Sequence, residues 1–95
     1  MRRRDLESEV SRASLREARR AVEDCEKDVA RLEAKIAALT SELEDPELYT
    51  TREGTERSVK AGKELDRLRR QLDTALEKWT TATEQAESLA SQRQS

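Results

Sequence analysis

Between Arg57 and Arg70 the chain carries six basic residues, Arg57, Lys60, Lys63, Arg67, Arg69 and Arg70, set against only Glu64 and Asp66. Lysine and arginine at this density suit one chemistry above others: holding a phosphate backbone electrostatically, with an affinity that falls steeply as salt rises. No aromatic residue is interleaved with them, so bases have nothing to stack on and sequence-specific reading is not expected. A second cluster, Arg16, Arg19 and Arg20, and a basic start, Arg2-Arg3-Arg4, lie far from the first in sequence. Catalysis has poorer material. There is no His and one Cys, Cys25, which leaves no zinc set and no Cys/His or Ser/His nucleophile pair. Carboxylates such as Glu23, Asp24, Glu26 and Asp28 are dense, yet a solvated helix face lacks the desolvation that tunes a catalytic acid. The two glycines, Gly54 and Gly62, are too isolated to cradle phosphates, and no Gly-x-x-x-x-Gly-Lys-Ser/Thr loop occurs. The expectation is a chain that is not an enzyme and has no metal or cofactor of its own.

The elements that would position those cations follow from periodicity. The chain has 95 residues, 42% charged and 34% apolar, with 19 Lys and Arg against 21 Asp and Glu. Phe is absent and Trp, Tyr and Met occur once each, so no wide globular core can be filled. Enrichment in Ala, Glu, Lys, Leu and Arg suits a long helix or coiled coil. From Leu15 the apolar positions run Ala18, Val22, Cys25, Val29, Leu32, Ile36, Leu39 and Leu43, alternating steps of three and four. A mean step of about 3.5 residues keeps one narrow stripe facing a partner helix. The second half repeats it through Ala61, Leu65, Leu68, Leu72, Ala75, Trp79, Ala82, Ala86 and Leu89, with Leu76 as a flanking extra. Between the seams Glu44-Asp45-Pro46 stops the first helix, because proline disfavours helical geometry in the residue before it and clashes with the preceding turn. Asp45 then reads as a cap for a short helical turn from Pro46 to Tyr49. The second helix starts between Thr51 and Thr55.

A connection this short makes the helices antiparallel neighbours. The predicted fold is all-α: an antiparallel two-helix coiled-coil hairpin over residues 15–90, with helix 1 at about 15–44, a tip at 45–54 bearing a short helical turn, and helix 2 at about 55–90. Residues 1–14, where Ser8 and Ser11 fall on the seam and Leu6 and Val10 off it, read as a frayed or phase-shifted helical extension, and 91–95 as a tail. Two pairing registers remain open. One sets Leu32 by Leu72, Ile36 by Leu68 and Cys25 by Trp79; the other, a heptad along, sets Trp79 by Ala18 and has the better flanking charges. With Leu65 on the seam, Lys60, Lys63, Arg67 and Arg70 fall on the outward face and form a cationic stripe; Arg57 is a further candidate contact. An outward face of any soluble coiled coil is charged, which is the plain alternative to a binding surface. Trp79 reads as a core anchor, Cys25 as a small buried hydrophobe, and Leu48 and Tyr49 as residues that fold back over the seam end near Leu43 and Ala61. The rival reading of the tip is insertion into a partner. A two-helix hairpin buries one face of each helix, so the chain's state stays open between a monomer and a homodimer, a four-helix arrangement that would cover Leu76, Leu6 and Val10. No apolar run approaches the roughly 18 residues of a membrane span, the start has no apolar signal core, and a lone cysteine fits a reducing compartment. A soluble, cytoplasmic chain without a membrane partner is expected.

The seam from Leu15 to Leu43, then Asp45-Pro46-Glu47-Leu48-Tyr49, then the seam from Leu65 to Trp79 resemble the C-terminal coiled-coil domain of the ABC-F family of cytoplasmic ATP-binding cassette proteins (the Uup-type tail). In that domain a heptad helix runs into an Asp-Pro-x-Leu-Tyr-like element, and a second heptad helix carries a Trp near its end. The resemblance covers roughly Leu15 to Leu89. It departs at Thr80-Thr81-Ala82-Thr83-Glu84, where the family often has an acidic-aromatic run, and at Gly54 and Gly62, which imply a looser start to the second helix. The resemblance implies a non-catalytic module appended to two ATPase cassettes, which would hold ATP and Mg, and an association with DNA or ribosomal RNA. Combined with the charge pattern, it gives sequence-nonspecific nucleic-acid binding through Lys60, Lys63, Arg67, Arg70 and Arg57. The alternative is a structural scaffold or dimerisation element with no nucleic-acid role.

Overall fold

Long stretches of helix-forming residues, free of proline on either side of Pro46, become two helices. The computed structural model describes the backbone of residues 3–94 and the side chains of residues 11–92. Helix α1 spans Arg3–Glu44 and helix α2 spans Arg52–Gln94, and a single 3-10 turn at Pro46–Tyr49 joins them. The fold is the all-α antiparallel hairpin that the two seams require, with no strand among the described residues. Helix α1 ends one residue before Asp45 and the joining turn starts at Pro46, the positions that proline chemistry dictates. The side chains of Arg2-Arg3-Arg4, Leu6 and Val10 lie outside the described residues. The backbone of 3–14 and of 91–94 is helical and continuous with α1 and α2, in place of the expected frayed extension and tail, and α2 starts at Arg52.

The described chain divides into two compact units, Asp28–Ala75 and Met1–Lys27 with Leu76–Ser95. In the first, Leu32 and Leu68 are each only 2% exposed and cluster with Ala75, while Val29, Ile36, Leu39 and Leu72 pack against them. That membership decides the register. Val29 by Ala75, Leu32 by Leu72 and Ile36 by Leu68 bring these side chains into one cluster. A shift of one heptad would carry Leu39 out of reach of Leu68. Leucine-on-leucine burial therefore outweighs the better flanking charges of the other register, as expected when an exposed ion pair contributes at most about 1 kcal/mol and a fully buried leucine about 1.5–3 kcal/mol. Among the described residues the ion pairs that form, Arg31 with Asp28, Arg52 with Glu56 and Arg67 with Glu64, stay within one helix each.

In the second unit Leu15 and Ala18 are buried, and Val22, Cys25, Ala82, Ala86 and Leu89 are partly covered. Trp79 departs from the core-anchor expectation, with 36% of its surface exposed. A seam between two helices has only two walls, and an indole is too large to be enclosed by them. Cys25 is half-buried and free, as a small seam residue. The Thr83 hydroxyl oxygen is buried with no hydrogen-bond partner among the described residues. No described helix is long and apolar enough to cross a membrane.

Burial this concentrated makes leucines unequal. Leu68→Ala is expected to lower the unfolding free energy by about 2–5 kcal/mol, the range for a buried leucine. Leu76→Ala, at a position 41% exposed, should stay within about 0.5 kcal/mol. Urea unfolding followed by circular dichroism compares them.

Candidate functional site

The cations of the sequence motif stand on the solvent side of α2. Arg57, Lys60, Lys63, Arg67 and Arg70 are all exposed, within the tip-proximal unit. A helix rises about 1.5 Å per residue, so Lys60 and Arg70 lie roughly 15 Å apart along it. Their seam-facing neighbours Leu65 and Leu68 are buried, which fixes the rotation of α2 and turns this face outward. Four of the five, Arg57, Lys60, Lys63 and Arg70, have no carboxylate partner among the described residues. Arg67 differs. Its Nε donates to Glu64 Oε2 at 3.0 Å and a terminal nitrogen donates to Glu64 Oε1 at 2.7 Å, a two-pronged grip across one helical turn. The hydrogen bond from Arg67 is the chief cause that holds the Glu64 carboxyl below its usual range; desolvation opposes it, and the charges of Arg67 and then Lys35 add to the lowering. The same bond and charge raise the Arg67 guanidinium in turn. Of the cations named from sequence, Arg67 is thus already engaged.

The tip motif is assembled tightly. Asp45 sits in extended backbone and its Oδ1 accepts from the Glu47 amide at 3.0 Å, while its carbonyl accepts from the Leu48 amide at 3.1 Å. Pro46 occupies the first position of the turn, where an N–H would have no partner. Leu48 is buried. Tyr49 folds back as expected, but through its hydroxyl: it donates to the Leu43 carbonyl at 2.6 Å, while 52% of the residue remains exposed. The last carbonyls of a helix have no partners within it, and here the Asp45 amide takes that of Glu42 while Tyr49 takes that of Leu43. Thr50 closes the turn by donating from both its amide and hydroxyl to the Glu47 carbonyl. Thr51 caps α2, its hydroxyl oxygen accepting from the Gly54 amide at 2.9 Å.

Gly54 overturns the expectation of looseness. It is buried, and a Cβ built on it would overlap the Leu48 carbonyl oxygen. The residue is small because the tip turn lies directly on the first turn of α2. Gly62 has open space around its Cα, so its cost is the ordinary one of glycine within a helix. Neither Gly54's role nor the Arg67–Glu64 grip entered the sequence reading. The second had a signal, an acid three residues before an arginine on one helix face; the first had only a glycine three residues past a threonine.

The described residues hold no group of His, Cys, Asp and Glu able to bind a metal ion. A family model described as the ABC transporter C-terminal domain matches residues 12–84, which include the first seam, the tip, the basic stripe and Trp79. No curated protein and no solved structure matches the chain significantly.

The two glycines should respond oppositely to the same methyl group. Gly54→Ala is expected to destabilise by about 1–3 kcal/mol, since the obstructing atom is backbone and cannot rotate away. Gly62→Ala should stabilise by about 0.5–1 kcal/mol. Thermal melting monitored at a helix band reads both, and equal signs for the pair would contradict the tip packing.

Proposed function

Because the chain belongs to the ABC transporter C-terminal domain family, we propose that it serves an ABC-F-like ATPase as a non-catalytic module that adds sequence-nonspecific DNA or RNA binding. The ATPase cassettes of the parent protein are its neighbours in this reading, ATP and Mg belong to them, and the setting is the cytoplasm around nucleic acid or the ribosome. The single observation that carries the reading is the row of exposed, unpaired cations Arg57, Lys60, Lys63 and Arg70 on one outward stretch of α2. A soluble helix face usually mixes its signs so that cations and anions screen each other. This one leaves four charges available to phosphates, on an element held rigid by the seam behind it. The net charge of −2 does not oppose this, because a field acts locally, within about 8–10 Å at ordinary ionic strength. The anions at Glu42, Glu44, Asp45, Glu47 and Glu53 gather toward the tip and its flanks, and steer a polyanion toward the cationic stretch. Without stacking rings in the stripe, contact is with backbone phosphates and not with bases.

Binding of a mixed-sequence DNA duplex and a structured RNA, measured over a series of salt concentrations, tests this. Three or four phosphate contacts predict a slope of about −3 for log affinity against log salt on a DNA duplex. Changing Lys60, Lys63, Arg67 and Arg70 together to Glu should abolish binding while helix content is retained. Binding that is absent at low salt, or unaffected by the reversal, leaves the scaffold or dimerisation role, which sedimentation of the free chain then examines.

A further inference from the structure

Resting on the nucleic-acid reading above, we infer that Glu64 is a built-in competitor for phosphate, occupying Arg67 and so limiting how tightly the basic stripe holds its ligand. Arg67 stands between Lys63 and Arg70 on the outward face, the place from which a backbone lying along the stripe would meet a guanidinium. Both prongs of that guanidinium instead meet Glu64, at 2.7 and 3.0 Å. A carboxylate in this geometry presents two anionic oxygens to an arginine fork as a phosphate does. Glu64 is partly covered while Arg67 is exposed, with side-chain exposures of 39% and 60%, so the carboxylate is the better-anchored partner and the guanidinium the one reachable by ligand. Lys35 adds a second favourable charge to Glu64, which helps to keep the acid in place as an anion. A phosphate reaching Arg67 must displace this carboxylate, whereas at Arg57, Lys60, Lys63 and Arg70 it displaces only water and salt ions. The stripe therefore divides into four open contacts and one gated contact. A gated contact keeps a sequence-blind surface from holding any polyanion too long.

The test is a double-mutant cycle on a DNA duplex of about 30 base pairs, read as affinity over a salt series. Glu64→Gln removes the competitor's charge. Asp66→Asn removes the same charge from a neighbouring exposed acid that holds no cation among the described residues, and so measures the general effect of one less anion. Glu64→Gln is expected to raise affinity about two- to fivefold beyond Asp66→Asn and to steepen the log–log salt slope by about one contact. Arg67→Ala alone should cost less than Lys63→Ala, and in the Glu64→Gln background it should cancel the gain. Equal effects of Glu64→Gln and Asp66→Asn, or an Arg67→Ala loss as large as that of Lys63→Ala, would overturn the inference while leaving the binding surface intact. A duplex that the unaltered chain does not bind at low salt would overturn the nucleic-acid reading itself, and this inference with it. Far-UV circular dichroism of each variant establishes that the hairpin is retained.

Discussion

A seam only two side chains deep is what every other feature of this hairpin depends on. Among the described residues the buried apolar set is Leu15, Ala18, Leu32, Leu48, Leu65, Leu68 and Ala75, and no polar or charged residue joins it. Two helices enclose little, so such a core gives only a few kcal/mol of net stability and has no reserve to absorb a misfit. The strict three-four spacing follows from that scarcity. A stripe that drifted around either helix would leave leucines facing water, and 3.5-residue spacing is what keeps the two stripes in contact. The same scarcity excludes buried polar groups almost entirely, since each unpaired one would cost a sizeable share of the total; the Thr83 hydroxyl is the exception among the described residues.

The tip is where a narrow seam is most exposed to loss, because helix ends carry unpaired backbone groups and fray first. Asp45, Tyr49, Thr50 and Thr51 satisfy those groups with side chains, and Gly54 lets the turn lie directly on α2. This closure links sequence to function through one more step. By fixing where α2 begins and how it is rotated, it sets which residues face outward from Arg57 to Arg70. The cations are not drawn together by a fold of the chain; they share one helix, and the seam behind them presents them as a row.

The parts legible in the sequence were those governed by short-range covalent geometry and period. Proline at position 46 fixed the helix stop and the Pro46–Tyr49 turn almost to the residue, and the heptad steps identified every seam position from Leu15 to Leu43 as at least partly covered. The register was not legible, because leucine layers repeat with each heptad and neighbouring alignments differ only in which leucines meet. Gly54 was misread for a related reason. Its need for smallness arises from the Leu48 carbonyl, a neighbour brought close by the folded turn, and nothing in the adjacent residues marks that approach. Trp79 was misread because position on a seam was equated with enclosure, which holds for a leucine-sized side chain and fails for an indole between two helices. At the basic stripe the outward placement of Lys60, Lys63, Arg67 and Arg70 was legible from Leu65, whereas the engagement of Arg67 by Glu64 needed side-chain geometry.

The reversal of the chain on itself is tested most directly by methyl nuclear Overhauser contacts between Leu32 and the Leu68–Ala75 pair. The spectra are recorded once on uniformly labelled protein and once on a mixture of labelled and unlabelled chains filtered for contacts between molecules. Strong cross-peaks in the first spectrum and none in the second are expected, because the clustered side chains belong to one hairpin. Cross-peaks that persist between molecules, with Leu32 silent toward its own chain's Leu68 and Ala75, would show that the seams mate across copies and would contradict the account.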